Sequence, residues 1–326
     1  MPIQITIIGL GQVGASIGLA LESHKEKILR VGHDKEFSVE RAALQKGAVD
    51  KAEHNLPTAV KDARVVILAL PAHQIRETLE FIAPDLQPGM IVVDTSPIKS
   101  GVANWAKEFL PEGCSYVGIV PTIAAEFLEE ADTGLDSAKA GLFKDSIFLV
   151  DAPFGTPGES IDLVTSLVDM LGARPMIADI AESDGLMSST YLLPQLLSTA
   201  LLNATTNQPG WQEARKVAER PYHDATSMKD NADALQILSL HNRENVKRLL
   251  NMVITSLVEL RDDVQDGNEE AVKKHFQSAY KNREEWLNDR FSATWEDKKT
   301  PPIEKISVGQ RLLGSVFGRP PKKDKK

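Results

Sequence analysis

The sequence predicts an α/β N-terminal domain, built on a doubly wound and mainly parallel sheet, followed by an all-α C-terminal domain. Two observations support this. Short apolar runs alternate with helical or irregular segments as far as residue 177, and from about Ala181 onward the strand patterns stop and apolar residues recur at helical spacing. Alternating strands and helices are typical of a parallel sheet that carries helices on both faces.

The first predicted strand runs from Ile3 to Gly9 and is almost continuously apolar, as strands buried on both faces of a sheet are. It leads into Gly9-Leu10-Gly11-Gln12-Val13-Gly14, and a helical stretch follows from Ala15 to Ser23. A second strand, Ile28 to Asp34, ends in an acid. This order of strand, glycine turn, helix, strand and acid is typical of a Rossmann dinucleotide-binding domain.

Each residue of the turn has a physical task in that prediction. Gly9 permits the tight turn, Gly11 lets the backbone approach a pyrophosphate, and Gly14 lets helix and strand pack closely. With Gln12 and Val13, these residues bring unpaired N–H groups and the positive end of a helix dipole to the phosphates. Asp34 follows Gly14 at about the spacing from which a carboxylate accepts hydrogen bonds from the ribose hydroxyls. The cofactor is therefore expected to be NAD, since the charge of Asp34 disfavours the 2′-phosphate of NADP.

Five further apolar runs complete the predicted sheet, and the domain is expected to cover residues 1–180. The third strand ends at Leu70 and Pro71, which are expected to border the same cofactor. The runs are Ala63–Leu70, Gly89–Asp94, Ser115–Val120, Ser146–Val150 and Arg174–Ile177.

The second half is predicted to be a helical domain over residues 181–297 that binds substrate and forms dimers. Its helical segments are Leu186 to Ala204, Leu235 to Val264 and Glu269 to Arg290. The first is too apolar for a free surface helix, so it is expected to be buried within the domain or in a subunit interface. Residues 298–326 contain nine Lys or Arg against two acids, a net charge of +7, and are predicted to be a flexible basic tail.

Composition limits the classes of partner and the cellular compartment that we expect for this protein. The net charge of −9 argues against nucleic acid as the main partner, because phosphate binding requires basic contacts. The single cysteine, Cys114, excludes a disulfide framework and favours a reducing compartment. No leader or uncharged membrane-length run is seen. We therefore expect a cytoplasmic protein that acts on a small molecule, with no metal site.

Several segments resemble the prephenate/arogenate dehydrogenase family of tyrosine biosynthesis. Asp94-Thr95-Ser96-Pro97-Ile98-Lys99 is similar to the family's Asp-x-Ser-Ser-Val-Lys. The segment from Tyr116 to Glu126, the segment from Ala138 to Phe143, and the shorter Tyr222–Thr226 and His241–Arg243 are similar to further family motifs. The resemblance covers about residues 1 to 290. It implies an NAD-dependent oxidoreductase that performs oxidative decarboxylation, and a homodimer formed through the helical half.

The sequence departs from the family at three places on the substrate side. The family's catalytic His falls on Val120, and its Ser-His-Leu-Pro-His appears as Tyr191-Leu192-Leu193-Pro194-Gln195. The Arg that holds the substrate carboxylate falls on Ser227. Valine cannot accept the proton that leaves the substrate hydroxyl, and serine cannot make a bidentate, charge-assisted contact.

Three candidate catalytic residues remain, and three functions stay open. Ser96 is retained from the family motif, His73 follows the strand ending at Pro71, and His223 lies in the helical half; Glu126 matches a family acid. The chain is a dehydrogenase of the family type with altered residues, a dehydrogenase or reductase for a more apolar substrate, or a non-catalytic NAD-binding regulatory protein.

Overall fold

The computed structural model describes residues 2–130 and 132–293. Its strands all lie in the first part of the chain: β1 Ile3–Ile8, β2 Ile28–His33, β3 Lys51–Ala52, β4 Val65–Leu68, β5 Ile91–Asp94, β6 Ser115–Val120, β7 Ile147–Asp151 and β8 Arg174–Ile177.

Six helices lie between or beside these strands, namely α1 Gln12–Ala20, α2 Phe37–Lys46, α3 Leu56–Val60, α4 Ala72–Ile82, α5 Ser100–Phe109 and α6 Gly158–Met170. Within the described residues, seven follow the sheet: α7 Ile180–Met187, α8 Leu193–Thr206, α9 Trp211–Ala214, α10 Arg220–Ala225, α11 Ala232–His241, α12 Arg243–Gln265 and α13 Glu269–Ser292.

The eight described strands form one sheet in the order β3-β2-β1-β4-β5-β6-β7-β8. Neighbouring strands are parallel except β6 and β7, which are antiparallel. The reversal of strand order between β1 and β4 leaves a crevice at the carboxyl ends of these two strands, where α/β sheets bind ligands. The predicted fold class, a mainly parallel doubly wound sheet followed by helices, is confirmed.

The register of the central strands places one row of residues side by side where β1, β4 and β5 end. Ile8 pairs with Leu68, Leu68 with Asp94, Asp94 with Gly118, and Gly118 with Asp151. Two carboxylates thus occupy a row that is otherwise apolar, and they stand on either side of a residue without a side chain.

The predicted strands agree with the structure to within a few residues, but β3 has no counterpart in the prediction. It has only two residues, too few to show a hydrophobic period. The prediction of one helical segment from Leu235 to Val264 is also wrong, because the structure divides it into two helices. Asn242 ends α11 and begins α12 with φ −115° and ψ 25°, outside the helical region.

The expected burial of the segment Leu186 to Ala204 is only partly correct within one chain. A π-helix, Ser188–Leu192, divides it into α7 and α8. Pro194, in the first turn of α8, has no N–H to donate to a carbonyl one turn earlier. This missing donor accounts for the change from α-helical to π-helical hydrogen bonding before it. The buried residues of α8 are the polar Gln195 and Ser198, while its leucines are half-buried.

No helix in the described ranges is both long enough and apolar enough to cross a bilayer. The basic tail predicted over residues 298–326 lies outside the described residues.

The glycine turn generates a prediction about stability. A Cβ built on Gly14 lies 1.9 Å from the Gly9 carbonyl oxygen, whereas a Cβ on Gly11 meets no atom within 4 Å. Gly14→Ala should therefore lower the free energy of unfolding by about 1–3 kcal/mol or more. Gly11→Ala should leave it within about 0.5 kcal/mol, because Gly11 has an ordinary φ of −71°.

Urea unfolding measures both variants, and NAD titration separates them further. The methyl group of Gly11→Ala would point into the space where a dinucleotide must approach, so this variant should fold normally and bind NAD more weakly. Equal stability of the two variants would contradict the close packing of Gly14.

Candidate functional site

Five of the eight residues predicted to bind the cofactor line one cavity of about 300 Å³ at the carboxyl ends of β1, β2 and β4. These residues are Gly9, Gly11, Asp34, Leu70 and Pro71. The other three, Gln12, Val13 and Gly14, form the first turn of α1 beside it. The structure therefore brings the whole predicted set together, although the segments come from three different strand ends.

This cavity fits a dinucleotide. Gly11 is the N-cap of helix α1 and offers no side-chain cap, and the first turn contains no acid, so the first N–H groups of the helix have no side-chain cap. The space above Gly11 is open. A helix N-terminus with free N–H groups and a positive dipole end is suited to a pyrophosphate.

Asp34 is fixed at the rim of the cavity by two backbone groups. Its Oδ2 accepts a hydrogen bond from Leu10 N at 2.9 Å, and its Oδ1 accepts one from Glu36 N at 3.0 Å. The carboxylate is thereby tied to the glycine turn, and Lys35 lines the same cavity. A bound ribose would meet a fixed negative charge at this end.

His73 lies at the start of α4, two residues after Pro71. Its Nδ1 is buried and has no hydrogen-bond partner within the described residues. Its Nε2 lies 3.3 Å from the side-chain nitrogen of Gln74, which lines the cofactor cavity. The residue therefore stands beside the crevice with one nitrogen unsatisfied.

Ser96 lies at the centre of a buried polar cluster instead of beside a histidine. Its Oγ is 2.5 Å from Asp94 Oδ1 and 2.9 Å from the Ile98 carbonyl oxygen, and the side chain is almost fully buried. A hydroxyl with two acceptors close by has its one proton engaged, so Ser96 can only accept a hydrogen bond from any further group.

Lys99 forms the positive centre of this cluster and has no solvent exposure. Its Nζ donates to Asp94 Oδ2 at 3.0 Å and to the Ile119 carbonyl oxygen at 2.7 Å. Tyr116 donates its hydroxyl to the same Asp94 oxygen at 2.6 Å. Burial, followed by the neighbouring carboxylate, raises the pKa of Tyr116 well above its usual value. Asp94 therefore accepts from a lysine, a tyrosine and a serine at once.

Gly118 creates the space in which these groups meet. A Cβ built there would lie 2.4 Å from Asp151 Oδ1 and 2.7 Å from Lys99 Cδ. Because Gly118 pairs with Asp94 on one side and with Asp151 on the other, the lysine stem can pass between the two carboxylates.

Asp151 differs from the other carboxylates of this cluster in its raised pKa. Both of its carboxyl oxygens are buried, and the hydrogen-bonding side chain nearest to them is the hydroxyl of Ser183, which is also buried and has no other partner within the described residues. Burial raises the pKa of Asp151, the charge of Lys99 lowers it, and the charge of Asp94 raises it again, with a result of about 6. The group thus takes up a proton near neutrality, unlike an ordinary aspartate.

A third carboxylate connects the cluster to the helical half of the chain. Asp184, in α7, accepts from Lys99 N at 2.6 Å and from Ser100 N at 3.1 Å, and it contacts the Ser100 hydroxyl. These N–H groups stand at the start of α5, where a negative charge is stabilising. The first helix after the sheet is therefore fastened to the strand-end loop that carries Ser96.

The sequence comparisons agree with this geometry. Residues 17–177 match the family model for the nucleotide-binding domain of prephenate dehydrogenase. A prephenate dehydrogenase of Bacillus subtilis (strain 168) is 23% identical over 278 residues, which are 84% of this chain and 74% of that protein. A cyclohexadienyl dehydrogenase of Zymomonas mobilis is 25% identical over 287 residues, 86% of this chain and 94% of that one.

Residues 17–177 thus carry the nucleotide-binding domain of the prephenate dehydrogenase family. Solved structures share the fold. A prephenate dehydrogenase from A. aeolicus, in complex with hydroxyphenyl propionate and NAD⁺, superposes with a TM-score of 0.76 at 18% identity, over 87% of this chain and 98% of that one. A Synechocystis arogenate dehydrogenase gives 0.68 at 22% identity, over 87% and 100%.

Val120, where the family motif suggests a histidine, lies in an apolar environment. It is 3% exposed and belongs to a small cluster with Leu149 and Ala178, against which Met187 packs.

Gln195, at the second histidine position suggested by the resemblance, serves a structural purpose. Its Oε1 accepts from the backbone N–H groups of Lys229 and Asp230 at 2.9 and 3.0 Å. Its Nε2 donates to Asp230 Oδ2 at 3.1 Å and to the Tyr191 carbonyl oxygen at 3.2 Å. All four hydrogen-bonding positions of the amide are filled, and they fasten the segment after Ser227 to α8.

His223 lies apart from the other candidates. It belongs to the short helix α10, its side chain is 82% exposed, and Nδ1 is 3.1 Å from Asp224 Oδ1. Among the described residues, no hydrogen bond joins it to Ser96 or to His73. Ser227, in the following segment, is exposed. Glu126 lines a different cavity near the end of α13.

The sequence interpretation named no residue of the buried cluster apart from Ser96 as a site residue. Asp94 and Lys99 both belong to the motif at residues 94–99. Their opposite charges, five residues apart directly after an apolar strand, are the sequence feature that could have indicated a buried ion pair. Tyr116, Asp151 and Asp184 carry no such local signal, since only the sheet register and the packing of α7 bring them there.

The raised pKa of Asp151 predicts a specific dependence of stability on pH. Its usual pKa is 3.8 and the value in the fold is about 6. Between these two values the folded chain holds a proton that the unfolded chain has lost, so the free energy of unfolding falls as pH rises from 4 to 6. The fall attributable to this group is about 3 kcal/mol.

Asp151→Asn removes this titration and keeps the shape of the side chain. Urea unfolding at intervals from pH 4 to pH 7 should show the wild type losing stability relative to the variant by about that amount. Parallel curves for the two proteins across this range would contradict the raised pKa.

Proposed function

We propose that this protein is an NAD-dependent oxidoreductase of the prephenate/arogenate dehydrogenase family in which the substrate end has been altered, so that prephenate is a poor substrate. The surroundings of Val120 carry the proposal. The position at which the resemblance places a proton acceptor is filled by a buried side chain among Leu149, Ala178 and Met187.

The cofactor end keeps the features that binding requires. The glycine turn, the uncapped N-terminus of α1 and the fixed carboxylate of Asp34 surround one cavity. We assign the pyrophosphate to Gly11, Gln12, Val13 and Gly14, and the adenosine ribose to Asp34, with Leu70 and Pro71 lining the same cavity. NAD would act there as hydride acceptor or, when reduced, as donor.

Preference for NAD over NADP follows from Asp34, because its carboxylate would face the 2′-phosphate. Lys35 lines the same cavity and offsets part of that repulsion. Calorimetric titration with each dinucleotide tests the preference, and tighter binding of NADP would overturn it.

Three family functions are missing at the positions that the resemblance assigns to the substrate end. Val120 cannot accept a proton, Ser227 cannot form an ion pair with a carboxylate, and Gln195 already has four hydrogen-bond partners. Ser96 remains close to this region, with its proton directed to Asp94 or Ile98. The arrangement disfavours a dicarboxylate substrate and a histidine-assisted deprotonation.

An alternative is an oxidoreductase for a more apolar substrate, and the cluster around Val120 is the observation that favours it. Proton transfer would then depend on a group outside that position. His73 is the candidate with the better geometry, because its buried Nδ1 has no partner and it stands beside the crevice. His223 is exposed and would have to be brought to the site by movement of the helical segment.

The helical half is proposed to form a homodimer, and residues 181–297 to act as the substrate and dimerisation domain. Helices α11 to α13 leave many large apolar side chains exposed in one chain: Leu240, Met252, Ile254, Leu257, Val258, Val264, Phe276, Tyr280, Trp286 and Phe291. Apolar surface of this extent in a single chain indicates an interface. Light scattering at micromolar concentration should give the mass of two chains.

The main test is NADH formation from prephenate and from arogenate at saturating NAD. The wild type should turn over prephenate at least about 10²-fold below the ordinary rate of about 10 s⁻¹, because general-base help is absent. The double variant Val120→His with Ser227→Arg should gain activity. Val120→Asn with Ser227→Arg is the matched control, since asparagine is polar and of similar size but accepts no proton at neutral pH.

Melting temperature and NAD affinity are measured alongside, to show that each variant still folds and binds the cofactor. Turnover of prephenate by the wild type at an ordinary dehydrogenase rate would overturn the proposal. In that case His73→Ala and His223→Ala would identify the group that accepts the proton.

A further inference from the structure

Three side chains from three separate elements meet beside the dinucleotide crevice. His33 is the last residue of β2, Glu40 lies in the first turn of α2, and His54 follows β3. One ligand atom of each lies within 4.8 Å of the others. His54 Nδ1 is 3.1 Å from Glu40 Oε2, and His33 Nδ1 is 3.4 Å from Glu40 Oε1.

The charge of this cluster is not balanced when the imidazoles are neutral. The Glu40 side chain is 5% exposed, and its ion-pairing partners within the described ranges are these two histidines, with no lysine or arginine. A buried carboxylate requires a matching positive charge or several hydrogen bonds. A cation held between the two imidazoles would supply that charge.

Neighbouring groups hold the three side chains in place, as is usual around metal ligands. The ring of Phe37 stacks on that of His54 with centroids 3.5 Å apart. The Asp34 N–H donates to Glu40 Oε1 at 3.0 Å. His33 Nδ1 lies 3.1 Å from the Glu53 carbonyl oxygen, to which it can donate a proton when no ion is bound.

We propose that His33, Glu40 and His54 form a binding site for a divalent transition-metal ion of the Zn²⁺ class. Two imidazole nitrogens and one carboxylate oxygen are donors that Zn²⁺, Co²⁺ and Ni²⁺ accept, and three protein ligands leave one position for water. The half-exposed ring of His54 gives the ion a route from solvent.

The location makes this ion a structural or regulatory ligand instead of a participant in substrate chemistry. His33 lines the crevice beside Asp34, and Glu40 holds the Asp34 backbone. The ion would join the end of β2, the start of α2 and the segment after β3 around the residue assigned to the ribose. The proposal does not depend on which substrate the protein uses.

The experiment uses the full chain without an affinity tag, stripped of metal by chelation. Zn²⁺ is titrated by calorimetry, and Co²⁺ is titrated while the visible absorption of a tetrahedral complex is followed. The wild type should bind one ion per chain. His54→Ala and Glu40→Gln should each weaken binding at least about 10-fold. Glu40→Gln keeps an oxygen acceptor for the Asp34 N–H.

The matched control is His275→Ala. His275 Nε2 pairs with Asp263 Oδ2 at 2.9 Å but is not part of a three-ligand group among the described residues, so this variant should bind as the wild type does. Zn²⁺ should also raise the melting temperature of the wild type and of His275→Ala but not of His54→Ala. Absence of stoichiometric binding, or equal binding by His54→Ala, would overturn the site.

Discussion

A lysine side chain buried below the carboxyl ends of β5 and β6 organises the centre of this protein. Lys99 has no solvent exposure, so its charge must be matched within the fold, and Asp94 and the Ile119 carbonyl oxygen do so. Removal of one partner from such a pair typically costs about 3–5 kcal/mol. The stem of Lys99 passes over Gly118, where any side chain would collide with it. The strand-end loop, the sheet and α5 are therefore fixed relative to one another.

The same cluster joins the two halves of the chain. Asp184 accepts from the start of α5, and α7 is followed by the π-helix and by α8, which carries Gln195. Gln195 in turn holds the segment after Ser227 through Lys229 and Asp230. Two sets of hydrogen bonds, joined by the chain from α7 to α8, thus link the loop bearing Ser96 to the segment after Ser227. Asp184 and Gln195 act as positioning groups, because their polar side-chain atoms already have protein partners.

The two ends of the candidate site differ in what they offer a ligand. At the Asp34 end, open space, unpaired helix N–H groups and a fixed carboxylate are available. At the Val120 end, an apolar cluster and a fully bonded amide occupy the positions at which the family resemblance places histidines. The family-model match covers residues 17–177, which include most of the cofactor end. It does not specify the substrate, because a fold hosts many reactions through changes in a few side chains.

The sequence by itself determined the alternation of strands and helices in the N-terminal half, the glycine turn and the association of that turn with Asp34. These features depend on hydrophobic period and on residue spacing over a few tens of positions, which local steric and solvation preferences encode. Only the tertiary structure decided that Asp151 faces Lys99 across Gly118, that Asp184 caps α5 from 84 residues away, and that Gln195 binds a loop instead of a substrate. The same holds for the meeting of His33, Glu40 and His54. Such contacts follow from sheet register and helix packing between distant segments, and no local pattern in the sequence reports them.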